Sequence, residues 1–324
     1  MITRDTLIAY IDEAIASIPY PSALAGLYEP IAYTLDGGGK RLRPVLTLAC
    51  CAALGADYRQ ATRQAMGIEM FHNFTLLHDD VMDRADMRRG KPTVHRRWNE
   101  STAILSGDAM LTMATQLVAD CDDALLRPIL ELFNRTAMEV YEGQQYDMDF
   151  ESRTDVAVDE YLSMIRLKTS VLLGCACRLG AIVGGASDRQ ARALYDFGLN
   201  LGLAFQLQDD WLDTYGDPAV FGKKIGGDIL NAKKTFLLIT ALDRLDVAGR
   251  GQLLHLLDDK AIASDEKIRR VTAIYDATGA AAQCRAEVER YGQLAIGSLA
   301  DAGLSDEWMR FFVTLVDDSS CRSK

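Results

Sequence analysis

Long apolar runs are missing from this 324-residue chain. The best candidate, VLLGCACRLGAIVGGA at 171–186, is broken by Arg178 and falls short of the roughly 20 apolar residues that span a bilayer, so no membrane insertion is expected. The opening MITRDTLIAYIDEA has no basic leader, and Asp5, Asp12 and Glu13 interrupt any signal-peptide core. In the tail CRSK, Arg322 and Ser323 stand where prenylation needs aliphatic residues, and a cytoplasmic protein is expected. Positive charge is also short: 35 Lys and Arg face 46 Asp and Glu, a formal charge of -11. That balance excludes nucleic acid or an anionic membrane as a general partner, so an anionic ligand must meet a local basic cluster or metal ions. Seven scattered cysteines, an odd number, do not make a disulfide framework, and Cys175 and Cys177 lack zinc-ligand spacing.

Period-two runs of β-branched residues are scarce as well, which argues against sheets. What recurs is helical spacing: Leu7, Ile11 and Ile15 form one stripe, and Leu194, Phe197, Leu201 and Phe205 another. Short polar breaks such as LDGGG, LGADYRQ and YGDPAV separate the stripes, with no linker or low-complexity segment to divide the chain. The expectation is one all-α domain over 1–324, a bundle of many helices.

Two stretches share an apolar lead-in and the same acidic spacing: LLHDDVMD at 76–83 and LQDDWLD at 207–213. On a helix, Asp79, Asp80 and Asp83 crowd one side, as do Asp209, Asp210 and Asp213. Like charges so placed cost about 0.2 to 0.5 kcal/mol per pair unless a cation bridges them. A solvated acidic face is the bland alternative, but Leu76, Leu77, Val81, Phe205, Leu207 and Trp211 are too apolar for an exposed helix. All-oxygen carboxylate clusters suit hard cations, and Mg²⁺ in particular takes one or two carboxylates and completes its shell with water and substrate phosphates. The implied ligand is phosphorylated. No P-loop is available, because GGGKR lacks the upstream Gly and the Ser or Thr after Lys. Cations near glycines can take its place: Lys40, Arg41 and Arg43 in GGGKRLRP, Arg88 and Arg89 after the first acidic motif, Lys223 and Lys233 after the second.

These residues, taken in order, resemble the trans-isoprenyl diphosphate synthases, or polyprenyl synthetases, over nearly the whole chain. GGGKRLRP at 37–44 is similar to that family's GGKRxRP, DDVMDRADMRRG at 79–90 to its first aspartate-rich motif, and EGQQYDMDFE at 142–151 to its GQxxD segment. LKTS at 167–170, FQLQDDWLD at 205–213 and GKKIGGDILNAKKT at 222–235 match its Lys-Thr pair, second aspartate-rich motif and closing lysine segment. Ala232 departs from the pattern, since many relatives have Gly before the lysine. The resemblance implies an isoprenoid synthase fold around a central apolar cavity, and a homodimer. It assigns Asp79, Asp80, Asp83, Asp209, Asp210 and Asp213 to Mg²⁺ ions, three with substrate bound, on the diphosphate of an allylic substrate. Arg88, Lys168 and Lys233 would clamp that diphosphate with Lys223 nearby, Lys40, Arg43, His72 and Arg89 would hold isopentenyl diphosphate, and Thr169 and Gln206 would face the reacting carbons. Ionisation, condensation and elimination need no dedicated general base, which suits a chain with four histidines.

In such enzymes the helix before the first acidic motif also lines the product tunnel. Here Phe74 stands five and Phe71 eight residues before Asp79, roughly 7 to 12 Å along a helix. Either ring could be a floor, and the resemblance favours C15 or C20 products, with a longer-chain synthase as the alternative. An HD-type phosphohydrolase, suggested by His78-Asp79, leaves the second DDxxD unexplained. The intact acidic motifs argue against a non-catalytic partner subunit, and a terpene cyclase has no need of GGGKRLRP.

Overall fold

The computed structural model describes residues 2–217 and 225–320. Its long elements are helices: α1 (Arg4–Ala16), α2 (Ala25–Leu35), α3 (Leu42–Ala53), α4 (Thr62–Met82), α5 (Val94–Arg97), α6 (Glu100–Ala119), α7 (Asp123–Glu151), α8 (Val158–Ile165), α9 (Val171–Val183) and α10 (Asp188–Tyr215). After the undescribed stretch come α11 (Gly227–Leu230), α12 (Phe236–Arg244), α13 (Val247–Asp258), α14 (Ser264–Thr278), α15 (Ala280–Ser298) and α16 (Asp306–Ser320). The all-α expectation holds, and the exception among the described residues is one antiparallel pair, Met87–Arg88 with Lys91–Pro92.

Local sequence sets many of the boundaries. Asn99 accepts a hydrogen bond from the Thr102 amide at 2.8 Å and starts α6, and Asp246 does the same for Gly249 at 2.8 Å and starts α13. At the hairpin the two central residues, Arg89 and Gly90, hold φ of 51° and 74°, the signature of a tight type I′ turn.

The residues group into two compact units, 1–135 with 175–195, and 136–174 with 196–324. Both are discontinuous in sequence, which accounts for the absence of any linker. The first unit is organised on α4, whose buried side includes Met66, Met70, Phe71 and Leu77, and the predicted stripe Leu7, Ile11 and Ile15 is buried on α1. The second unit has its own core, with Phe150, Tyr161, Leu207, Phe236, Tyr275 and Val288 in one cluster. Burial of each such side chain stabilises by about 1.5 to 3 kcal/mol.

Candidate active site

Within each acidic motif the three carboxylates differ in burial. Met66, Met70, Asn73, Leu77 and Asp80 follow one another at intervals of four and three and are all buried, so Asp80 lies on the core stripe of α4. Asp79 is less enclosed, and Asp83, which is exposed, is the C-cap of the helix. The Asp80 side chain is 7% exposed against 19% for Asp79. Arg88 bridges them: Nε donates to Asp80 Oδ1 at 2.7 Å and Nη2 to Asp79 Oδ2 at 3.3 Å. Burial raises the Asp80 pKa, and the Arg88 charge opposes that shift.

The second motif repeats the arrangement within the second unit. Leu203, Leu207, Asp210 and Thr214 form the buried stripe of α10, while Asp209 and Asp213 are less enclosed. Three donors serve the Asp210 carboxylate: the Tyr161 hydroxyl and the Phe236 amide (3.2 Å) at Oδ2, and Gln206 Nε2 (3.2 Å) at Oδ1. Burial, with the Asp228 charge, pushes its pKa up to about 7 against the opposing pull of those hydrogen bonds. Thr169 Oγ1 donates to Gln206 Oε1 at 3.3 Å, and Gln206 in turn connects Thr169 to Asp210. Asp213 anchors the following segment, accepting the Asp228 amide at 2.9 Å through Oδ2 and the Gly226 amide at 2.6 Å through its own carbonyl.

Lys168 and Thr169 lie on a π-helical turn, Arg166–Ser170, between α8 and α9. Such one-turn insertions re-aim side chains and are frequent at functional sites. Lys168 Nζ donates to Asp147 Oδ2 at 2.5 Å, which gives the aspartate of GQQYD a role that spacing did not assign. Gly143 of the same segment carries the turn against its bare Cα: a Cβ there would stand 2.3 Å from Lys168 N. Lys223 falls outside the described residues. Before Lys233, Ala232 holds φ of 49°, the left-handed region that favours glycine, which is the physical content of its departure from the family pattern.

In the first unit, Arg43 and Arg89, two of the residues expected to hold a second diphosphate, lie near a third, His72. Burial lowers its pKa well below the usual value, and the positive field of Arg43, Arg89, Arg88 and Arg41 lowers it further. Arg41 is structural: its Nη1 meets Glu69 Oε1 at 2.7 Å, Nε meets Asp12 at 2.8 Å and Nη2 donates to the Leu35 carbonyl at 2.9 Å. It also takes a left-handed φ of 47° as the residue before α3, between Lys40 and Arg43. Arg89 donates to the Gly38 carbonyl, tying the hairpin to the glycine loop. A pocket beside this group is lined by Tyr33, Asn73, Leu77, Asp80, Arg88, Arg89 and Lys91, among others.

The expected floor residues are also in contact. The Phe71 and Phe74 ring centroids are 5.5 Å apart, and the row continues to Phe133 of α7, 5.3 Å from Phe71, and to His78, 4.8 Å from Phe74. Phe133 and His78 were not assigned to the floor from the sequence, because neither helical period nor motif links residue 133 to residue 71.

Among the described residues no group of three or more His, Cys, Asp or Glu side chains forms a ready metal cage. The donors at both motifs are carboxylate oxygens, which fit a hard cation held by few side chains with substrate oxygens and water completing its shell. Among the described residues no helix is long and apolar enough to cross a membrane.

This combination of fold and motifs agrees with comparison to known proteins. The polyprenyl synthetase family pattern matches residues 25–275, and the chain belongs to that family. It is a prenyltransferase. It is 40% identical over 249 residues to the geranylgeranyl diphosphate synthase of Methanosarcina mazei, covering 75% of this chain and 77% of that one. It superposes on a crystal structure of a geranylgeranyl pyrophosphate synthase with a TM-score of 0.95 and 43% identity, each chain covered completely. A geranylgeranyl pyrophosphate synthase from Corynebacterium glutamicum, solved with isoprenyl diphosphate and magnesium, gives a TM-score of 0.83 at 29% identity, covering 98% of this chain and 97% of that one.

Proposed function

We propose that this chain joins isopentenyl diphosphate head-to-tail to an allylic diphosphate (dimethylallyl, geranyl or farnesyl) and releases a trans C15 to C20 prenyl diphosphate. The observation that supports this is the set of arginines around His72, Arg41, Arg43, Arg88 and Arg89, next to an acidic motif whose Asp79 and Asp80 are bridged by Arg88, the cations and hard oxygen donors that a diphosphate and its metal require. Arg43, Arg89, Lys40 and His72 bind isopentenyl diphosphate, and Arg88, Lys168 and Lys233 hold the allylic diphosphate. Lys223 is assigned to the allylic side from its motif alone.

Asp79, Asp80, Asp83, Asp209, Asp210 and Asp213 would hold Mg²⁺, three ions being expected from the family, with Asp80 and Asp210 the most enclosed of the six and also bonded to Arg88 and to Tyr161. When bound, Mg²⁺ supplies charge neutralisation to the leaving diphosphate. The residues then act by position. Lys168 and Arg88 keep the diphosphate oxygens fixed as the allylic C–O bond breaks and the bonding pair leaves with the diphosphate. The double bond of isopentenyl diphosphate attacks the allylic cation, and a proton lost from the adjacent carbon goes to the departed diphosphate. Apolar walls exclude water, which would otherwise quench the cation. Phe74, with Phe71 and Phe133 behind it, stops the tail.

We read 1–324 as one polyprenyl synthetase domain, expected in the cytoplasm from its sequence and homodimeric on the family resemblance. Incubation with isopentenyl diphosphate, each allylic starter and Mg²⁺, followed by chromatographic sizing, tests the proposal. A C15 or C20 peak with one diphosphate released per condensation is expected, whereas inorganic phosphate, a cyclic hydrocarbon or exclusively longer chains would overturn it. Phe74→Ala should move the main peak up by at least one isoprene unit.

A further inference from the structure

His78 stands next to the first acidic motif yet is assigned no substrate or metal. Its surroundings are unusually specific. On one side the imidazole lies against Gly107 of α6, where a Cβ would stand 2.1 Å from Nε2 and 2.4 Å from Cδ2. Nε2 is 3.1 Å from the Ile104 carbonyl oxygen, which can only accept, so this nitrogen carries the proton and donates. On the other side the ring meets Phe74 edge-on, with centroids 4.8 Å apart at 67°. Phe74 in turn leans on Phe71 and Phe71 on Phe133, whose rings are 5.5 and 5.3 Å apart. Phe133 joins the row to α7, and His78 joins it to α6.

We infer that His78 is a specificity-determining positioning residue: wedged into the notch that Gly107 leaves on α6, it fixes the Phe74 ring and thereby the length at which the product chain stops. This rests on the proposal that Phe74 is the floor. The physical basis is that an aromatic ring closes a tunnel only at the orientation in which it is held, and on one flank Phe74 is held by an imidazole. Gly107 is required because any side chain would occupy the space of the imidazole. A residue 33 positions beyond the floor thus controls it without touching substrate.

The test uses the full-length enzyme with isopentenyl diphosphate, a fixed allylic starter and Mg²⁺. Product lengths are normalised to total condensation, so a change in rate does not enter. Four variants are compared: Phe74→Ala, His78→Ala, Gly107→Ala and the His78→Ala, Gly107→Ala double variant, each checked for its melting transition. His78→Ala removes the flank of the ring, and the share of product at least one isoprene unit above the parent length should rise about tenfold, the discrimination that small volume changes in apolar pockets confer. Gly107→Ala drives the imidazole toward Phe74 and should shift the distribution to shorter chains. In the double variant the new methyl enters vacated space, so the shortening should vanish. Should His78→Ala fail to fold, His78→Asn removes the ring while keeping a donor, and the same lengthening is expected.

If Phe74→Ala lengthens products while the folded His78 and Gly107 variants keep the parent distribution, the wedge is wrong and the floor stands. If Gly107→Ala shortens products equally with and without the imidazole, the coupling through His78 is refuted. If Phe74→Ala itself leaves product length unchanged, the floor fails, and the role of His78 falls with it.

Discussion

Replacing Gly143 by Ala probes how tightly the Lys168 turn is held. The added Cβ would stand 2.3 Å from Lys168 N, 2.7 Å from Leu167 C and 2.7 Å from Lys168 Cα. All three are main-chain atoms, so no side chain can swing away, and restoring van der Waals contact demands a shift of about 1 Å between α7 and the turn. Overpacking of this kind destabilises by about 1 to 3 kcal/mol. Its functional effect should be larger, because a displacement of about 1 Å at a positioning group reduces rate by about 100-fold. Lys168 and Thr169 ride on the displaced segment, and the 2.5 Å contact with Asp147 would be lost. Steady-state kinetics with both substrates varied, beside thermal unfolding, make the measurement. The expected outcome is a fall in kcat on the order of 100-fold with little change in KM for isopentenyl diphosphate. An enzyme with parental kcat and parental melting temperature would refute the reasoning, for the backbone would then have had room that the structure denies.

Arg43→Ala should raise KM for isopentenyl diphosphate by at least about tenfold and that for the allylic substrate much less, whereas Lys168→Ala should do the opposite; initial-rate kinetics that show equal effects would overturn the assignment. Ala232→Gly should stabilise the protein by on the order of 0.5 to 1 kcal/mol in urea unfolding, since it removes a left-handed alanine at φ 49°. The pKa of His72 is lowered in the fold by burial and by Arg43, so below its unfolded value of about 6.5 the unfolded chain takes up a proton that the native protein does not. Stability should therefore fall as pH drops from 7.5 to 5.5, by up to about 1.4 kcal/mol per pH unit, and His72→Gln should flatten that part of the urea-unfolding profile.

The helical class and the two acidic motifs were legible because both leave periodic traces: apolar stripes at 3.6 residues and carboxylates at fixed spacing. Even the difference in burial within each motif is written in the period, since Asp80 follows Asn73 and Leu77, and Asp210 follows Leu203 and Leu207, on buried stripes. Counting carboxylates alone treats the three as equivalent and misses this. Other features have no one-dimensional trace. Tyr161 reaches Asp210 across 49 residues and Lys168 reaches Asp147 across 21, pairs that only packing creates. The contact of Phe133 with Phe71 is of the same kind. The π-turn at Lys168 was hidden for a different reason: LKTS reads as an ordinary helical stretch, and the extra residue in the turn appears only in the hydrogen-bond pattern.

The central claim is that both acidic motifs bind one diphosphate through divalent metal. Its most direct test is calorimetric titration of an unreactive allylic thiolodiphosphate into the protein, with Mg²⁺ and with chelator, for the parent, Asp79→Ala and Asp209→Ala. The account predicts binding in Mg²⁺ that is lost in chelator and weakened by at least about tenfold in each variant, with all three proteins folded. Equal affinity with and without metal, or an unaltered affinity in either variant, would contradict it.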